Sequence, residues 1–338
     1  MLHMVYTRRI HWEYKTMTWE SSTELVRRRR DFLKQACFST AAITAAQLAA
    51  SPASGTAQGS PAVEMPMIQL GPHKVTRVIA GGNPIGGFGH SVPNMSRHML
   101  EYFTLERTTE FLVKCSQAGI NTWQFDHMEK PIAALRAARE RSAKLNFICL
   151  HAEREKQAPI KTVIADMDPI AIVHHGGVTD RLFRDGKAQQ VRDFVKKVKD
   201  QGVLAGVSSH CPDNIKRMAD EGWENDLFMT CFYYVSRPRE EQQKLLGKVV
   251  VDEPFFESDP EEMTRVVRQV GKPCLGFKIL AAGRKCANQE SVEKAFRFAF
   301  EHIKPTDAVI VGMYPRFEDE VRLNADYGRK YGILSPGL

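Results

Sequence analysis

From Val75 onward the chain repeats one rhythm: a β-branched apolar run of about six residues, a turn, then a segment whose apolar positions recur every three or four residues. The apolar runs predict strands at 75–80, 120–125, 145–150, 170–173, 203–207, 227–232, 274–279 and 308–311. The periodic segments predict helices at 106–117, 131–142, 160–167, 187–201, 213–221, 289–302 and 316–327, with a further one opening at Asp259-Pro260-Glu261-Glu262. In 187–201, Val191, Phe194, Val195 and Val198 share one face and Lys and Asp residues take the other. Gly119 and Gly202 stand where a helix ends in a left-handed residue, and Asp213 is an N-cap candidate. Eight strand-helix units in about 255 residues predict a (β/α)8 TIM barrel. A doubly wound open sheet is the alternative.

The rhythm breaks at 233–257, a long insertion containing RPREEQQ and VVVDEPFFESD, expected to lie on the active rim. Upstream of the barrel, residues 58–74 read as a linker and residues 1–57 as an export leader. Arg27 to Arg30 with Asp31-Phe32-Leu33-Lys34 fits the twin-arginine pattern R-R-x-F-L-K, followed by an Ala- and Thr-rich apolar run and a small-residue stretch suited to signal peptidase at Ala53 or Ala57. Met17 is an alternative start. The apolar run is too short and mild for a stable membrane anchor. The expectation is a periplasmic or secreted protein that uses the twin-arginine export machinery.

Charge adds little. The formal net charge is +7, but the first 57 residues hold eight Lys/Arg against four Asp/Glu, leaving about +3 on the barrel and no case for a nucleic-acid partner. Hydrophobic residues, 43% of the chain, can supply a core. Seven cysteines without CxxC spacing read mainly as buried free thiols.

The chemistry concentrates in residues 120–210, where apolar runs end at or beside His127, His151, His174, His175 and His210. Consecutive barrel strands deliver their ends to one rim, and imidazoles gathered there bind a metal or move protons near neutral pH. His151, His174 and His210, with Asp126 or Glu153, would supply the mixed N/O ligands of a divalent Zn, Mn or Fe site. The same histidines as acid-base groups without metal, or as structural groups, are the alternatives. Alternate strand residues face opposite ways, so His127 and His175 can turn outward. His90, on the Gly-rich stretch GGNPIGGFGH, can join the rim. Lys278 has three readings: a phosphate contact, a Schiff-base amine if desolvated, or a partner for Asp126 or Glu153. Phe232, Tyr233 and Tyr234 would floor a substrate or belong to the core.

Several blocks together resemble the aldo/keto reductase superfamily: GGNPIGG after the first strand, GIN before the second, His at the end of the fourth, GVLAGVSSH, FKILAAG, and AFRFAFEHIKPTDAVIVGM. The resemblance covers nearly all of 75–327 and implies a (β/α)8 barrel of aldo/keto-reductase type holding NADP(H) across its rim. It implies cofactor contacts from Ser208, Lys278, Leu280 and Gly283. That family's Asp-Tyr-Lys-His tetrad is mostly missing: the aspartate position falls on Gln124, with Asp126 two residues on, the lysine position falls on Leu150 or His151, and no tyrosine follows in HMEKPIAAL. His174 alone matches. Without the tyrosine, ordinary carbonyl reduction lacks its proton donor.

The sequence therefore predicts an exported barrel enzyme acting on a small carbonyl or sugar-type molecule. Its catalytic residues are drawn from His174, His151, Lys278, Glu153 and Asp126, and its chemistry is of lyase, isomerase or hydrolase type. An NADP(H)-dependent oxidoreductase with an altered proton donor and a non-catalytic exported binding protein are the other readings.

Overall fold

The structure, a computed structural model, describes residues 64–333. The leader reading of 1–57 and Cys37 lie outside the described residues. Eight parallel strands close into a barrel in the order β10-β3-β4-β5-β6-β7-β8-β9. They are β3 (Val78–Gly81), β4 (Thr122–Asp126), β5 (Asn146–His151), β6 (Ala171–His174), β7 (Leu204–Ser209), β8 (Leu227–Cys231), β9 (Cys274–Phe277) and β10 (Ala308–Gly312). Each is followed by at least one helix, the (β/α)8 arrangement the periodicity predicts.

Two further strands precede the barrel. β1 (Met67–Leu70) and β2 (His73–Thr76) form an antiparallel hairpin around Gly71, which takes a left-handed φ of 56°. This corrects the linker reading for residues 67–74 of the 58–74 segment, and the reading of 75–80 as one strand. Val75 and Thr76 pair back onto Ile68 and Met67, and Arg77 separates them from the barrel strand. Ile68, Leu70 and Val75 pack with Ile79, Ile148, Val173, Leu227, Met229, Leu275 and Ile310 as the barrel's inner core. The hairpin thus supplies apolar side chains to the barrel interior. The larger outer core lies between strands and helices and includes Trp123, Phe147, Phe194, Val198 and Phe296.

The helices are α1 (Pro93–Tyr102), α2 (Leu105–Gln117), α3 (Glu129–Glu140), α4 (Ile160–Met167), α5 (Gly176–Arg184), α6 (Ala188–Lys199), α7 (Pro212–Asp220), α8 (Arg239–Leu246), α9 (Asp259–Gln269), α10 (Gln289–His302) and α11 (Glu320–Tyr331). Sequence periodicity misses three. α1 buries no side chain, α5 opens on two glycines, and α8 sits inside the insertion with only Gln242 buried, so none shows a clear apolar stripe. α7 is capped at Cys211 with Pro212 at N1, which moves Asp213 from the predicted N-cap into the first turn. α11 starts four residues later than predicted because the Asp319 carboxylate accepts the Arg322 N–H and sets the start there.

Six of the seven cysteines fall among the described residues and all six are free; five are buried and Cys286 is exposed. Among the described residues no helix is long and apolar enough to cross a membrane.

Leu70 is 1% exposed inside the barrel's inner core. Leu70→Ala is expected to cost about 2–4 kcal/mol in urea unfolding; a loss under about 1 kcal/mol would mean the hairpin is not part of that core.

Candidate active site

The side-chain alternation of each strand decides which rim residues can meet a ligand. On β5, Ile148 and Leu150 join the inner core, and Phe147 and Cys149 the outer. On β6, Ala171 and Val173 are inner and Ile172 is outer. The period of two therefore turns His151 and His174 outward. Both rings rest on Phe194 of α6, His151 stacked at 6.1 Å between centroids and His174 edge-on at 4.9 Å. His151 Nε2 donates to the Ala158 carbonyl at 2.9 Å, while its Nδ1 accepts the Glu153 N–H at 3.1 Å. Neither ring nitrogen is left for a ligand. His174 Nδ1 is bonded to Thr179 Oγ1 at 2.7 Å, and burial pushes its pKa down to about 3, so it stays neutral.

These positions correct the expected metal set. His151 and His174 lie in the strand-helix layer and His210 faces the mouth. Among the described residues no group of three or more His, Cys, Asp or Glu is placed to hold a metal ion. The catalytic assignments of His151 and His174 are corrected for the same reason. Glu153 is corrected too: its carboxylate pairs with Lys197 at 2.6 Å on the exposed side. His127 also turns outward, onto Asp166 of α4 at 2.9 Å.

What reaches the mouth is the complementary set. His175, expected to face outward, follows β6 in the inward phase. Burial pushes it down to about 4, helped by the charges of Arg154, His210 and Lys278, and its Nδ1 is buried without a partner. Asp126, on the inward phase of β4, is pushed up to about 6 by burial, with Arg154 opposing. Ser208 and His210 follow the inward phase of β7, and the His210 ring meets Phe277 edge-on at 5.6 Å. Phe232 and Tyr233 are core residues, 1% and 2% exposed, not an open floor. Tyr234 lies under the Arg237 guanidinium, 4.6 Å from its ring centre.

His210 is the most elaborately held of these groups. Its Nδ1 donates to Asp180 Oδ2 at 2.8 Å. Asp180 also accepts from the His210 N–H, Ser209 Oγ, Ser236 Oγ and Asn214 Nδ2. Burial pushes the Asp180 carboxyl up, but the hydrogen bond and charge of His210, with the two serines, bring it below the usual carboxylate range. Gly176 makes the pairing possible. A Cβ there would stand 2.9 Å from Ser208 Oγ and 3.1 Å from the His210 ring, so α5 can lie against β7 only with glycine at its start. One helical turn later, at Asp180, the carboxylate meets the imidazole. With Nδ1 committed, Nε2 is the basic nitrogen, and none of the described residues bonds to it.

A second chain of groups crosses the rim. Lys278 follows β9 with a left-handed φ of 59°, and its Nζ lies 2.9 Å from His90 Nε2. His90, also left-handed at φ 48°, presents Nδ1 to the Glu253 carboxylate at 2.9 and 3.0 Å, and Asn83 Nδ2 stands 3.3 Å from its Nε2. Burial lowers the Lys278 ammonium pKa, offset in part by Cys231 and Glu253. Lys278 is not paired with Asp126 or Glu153, which corrects that reading. Arg284 fastens the same loops: it donates to the His90 and Ala281 carbonyls, approaches Asp252 at 3.5 Å, and stacks over Phe255 at 3.9 Å.

Lys278, His210 and Asp126 are legible in the sequence as candidates; Asp180 and Glu253, which the structure places beside His210 and His90, are not. Asp180 sits on a helix without a periodic signal, and Glu253 sits on the insertion. The acidic pair Asp252-Glu253 inside an apolar VVVDEPFF stretch was the available hint.

The residues assigned to NADP(H) differ in burial. Ser208 is buried and inward, whereas Leu280 packs on the outer core and Gly283 is exposed. Lys278 and Arg284 are held by His90. Two surface clefts, of about 440 and 530 Å³, lie elsewhere, lined by Glu64 to Gln69 and by residues such as His73, Arg139 and Asp168, and share no residue with the mouth.

No family model and no curated protein matches the chain. Similar solved structures include an aldo-keto reductase from Bacillus halodurans in its holo form, at 14% identity, with 80% of this chain and 95% of that one covered and a TM-score of 0.47. An aldo-keto reductase from Klebsiella pneumoniae in complex with NADPH shows 12% identity, coverage of 80% and 92%, and a TM-score of 0.46. A truncated 3-deoxy-D-arabino-heptulosonate 7-phosphate synthase from Thermotoga maritima shows 13% identity, coverage of 79% and 90%, and a TM-score of 0.45.

Asp126 sets a pH test. Its folded pKa, about 6, exceeds that of an unfolded aspartate, so its burial destabilises the protein increasingly as pH rises from about 4 to 6 and fully above that. Asp126→Asn is expected to be about 1–2 kcal/mol more stable than the parent at pH 7.5 in urea titrations, and equal to it below about pH 4. A pH-independent difference would mean that the carboxyl is not desolvated.

Proposed function

We propose that this protein is an acid-base enzyme that moves a proton on a small carbonyl or sugar-type molecule at the barrel mouth. The observation that carries the reading is the Asp180–His210 pair. A buried carboxylate fixes the imidazole's orientation and tautomer and leaves Nε2 as the base, at the strand ends where barrel enzymes place their chemistry. Asp126, near pKa 6, is the complementary acid, and the neutral His175 offers a nitrogen to the substrate's polar groups. Removing a proton from the carbon beside a carbonyl, the first step of many isomerase and lyase reactions, needs such a base and a donor on the oxygen.

The metal-dependent version loses support because two of its three proposed ligands face away from the mouth. NADP(H)-dependent oxidoreduction, which the family resemblance implies, and the non-catalytic binding role are the readings to test against. Export also belongs to the proposal, resting on the Arg-Arg-x-Phe-Leu-Lys segment that precedes an apolar run and small residues.

The protein is expected to wash deuterium from D2O into small hydroxyaldehydes or hydroxyketones, followed by proton NMR, without NADPH and unaffected by a chelator. His210→Ala and Asp180→Asn should each slow the exchange by about 10²–10⁴. Exchange that requires nucleotide or metal would replace this reading, and its absence across the carbonyl panel would favour a binding role. For export, a reporter carrying residues 1–60 should reach the periplasm, and the double change Arg29→Lys, Arg30→Lys should hold it in the cytoplasm; export unaffected by that change would remove the twin-arginine assignment.

A further inference from the structure

We propose that Lys278 is a nucleophile that forms an imine with the carbonyl carbon of the substrate, with Glu253 and His90 serving as its proton relay. The inference rests on the carbonyl reading above and deepens it.

Lys278 has the placement such chemistry demands. It follows a barrel strand at the C-terminal end, is only partly buried, and has its Nζ 5.5 Å from the centre of the Phe277 ring. Its polar contact among the described residues is with an imidazole and not with a carboxylate. A surface lysine gains its stability from water or an acid; loss of water is the largest influence on this one and favours the neutral amine, with Cys231 and Glu253 opposing and Arg284 adding to it. The amine, not the ammonium, attacks a carbonyl.

The relay has the right polarity at every link. The Glu253 carboxylate can only accept, so His90 Nδ1 carries the hydrogen between them. His90 Nε2 is then an acceptor facing Lys278 Nζ and the Asn83 amide. The lysine proton therefore points at a nitrogen that can take it, and the charge left on the imidazole is balanced by Glu253. Both reacting members stand in the left-handed backbone region that side-chain-bearing residues rarely adopt. Such conformations cluster where geometry is held for function, and here they bring together residues 188 positions apart in the chain.

The step balances without an oxidant, reductant or further reactant. The lysine nitrogen adds to the carbonyl carbon and loses a proton to His90 while the carbonyl oxygen takes one from the Asp126 carboxyl, giving a carbinolamine. The His90 proton then passes to the hydroxyl, which leaves as water, and the positively charged C=N bond forms, balanced by the Asp126 carboxylate. The positively charged imine withdraws electrons from the neighbouring carbon, so its C–H proton passes more readily to His210 Nε2 than it would from the free carbonyl. The charges of His210 and Lys278 both act on His175 and Glu253, so the two groups belong to one electrostatic neighbourhood at the mouth. Hydrolysis releases the product and restores the amine.

The test is reductive trapping with glycolaldehyde and sodium cyanoborohydride, followed by peptide mapping of the intact, full chain. The expected result is one adduct per chain, on Lys278, formed at least tenfold faster than on any exposed lysine, and lost in Lys278→Met. Glu253 acts through His90 as a positioning residue. Glu253→Gln should slow trapping and shift its half-maximal pH downward, because a charge that stabilises the ammonium is gone; Glu253→Asp should restore part of the rate. Labelling spread over exposed lysines, with Lys278 unfavoured in a chain that keeps its circular dichroism, would overturn the proposal. So would a Lys278→Met variant that retains full deuterium exchange, and the acid-base reading would then stand alone. An adduct on Lys278 with no exchange in any carbonyl would instead support the imine and remove the role given to His210.

Discussion

The site depends on the two-residue alternation of a pleated strand closed into a barrel. Each strand can send only every second side chain inward, and the phase is fixed by its apolar residues, because Ile148 and Leu150 on β5 and Ala171 and Val173 on β6 must fill the interior. Once these are seated, the neighbouring histidines have no choice. His151 and His174 go to the helices with Phe194, and His175 continues inward. The lining of the mouth is in this sense a by-product of core packing. A one-residue slip on either strand would reverse it and expose the core residues to the outer layer.

That constraint also explains what could be read in advance. The strand-helix rhythm is local, so the eight strands and most helices were legible, with ends displaced by a few residues. The hairpin was not, because β1 and β2 are four residues each and flank a Gly-Pro turn that reads as linker. In the site, residues that end strands were found and their partners were not. Asp180 lies 30 positions from His210, and Glu253 lies 163 from His90. Pairings over such distances are set by where helices and loops dock, and no periodicity encodes that. The histidines do not converge as their spacing suggests, because proximity along the chain does not reveal which face a side chain takes.

The mouth is held at an electrostatic cost. His175 and Lys278 are cationic groups pushed toward neutrality, and Asp126 is an acid pushed the same way, all chiefly through loss of water. A structure that keeps three titratable groups partly discharged gains nothing in stability from them. Shifted titratable groups gathered in one place are a pattern concentrated at functional sites. Asp180 is the counterexample within the same mouth. Five donors keep its charge in place, and it is suited to orienting a neighbour and not to exchanging protons itself.

The clasp made by His90, Glu253, Asp252 and Arg284 ties the Gly-rich loop, the insertion and the segment after β9 to one another. If admitting a molecule requires these ties to part, and each hydrogen bond is worth about 1 kcal/mol, the open form holds roughly one chain in a hundred. Binding strength measured in bulk would then understate the intrinsic fit by the same factor. Exchange of any molecule at the mouth would then proceed no faster than the clasp unfastens.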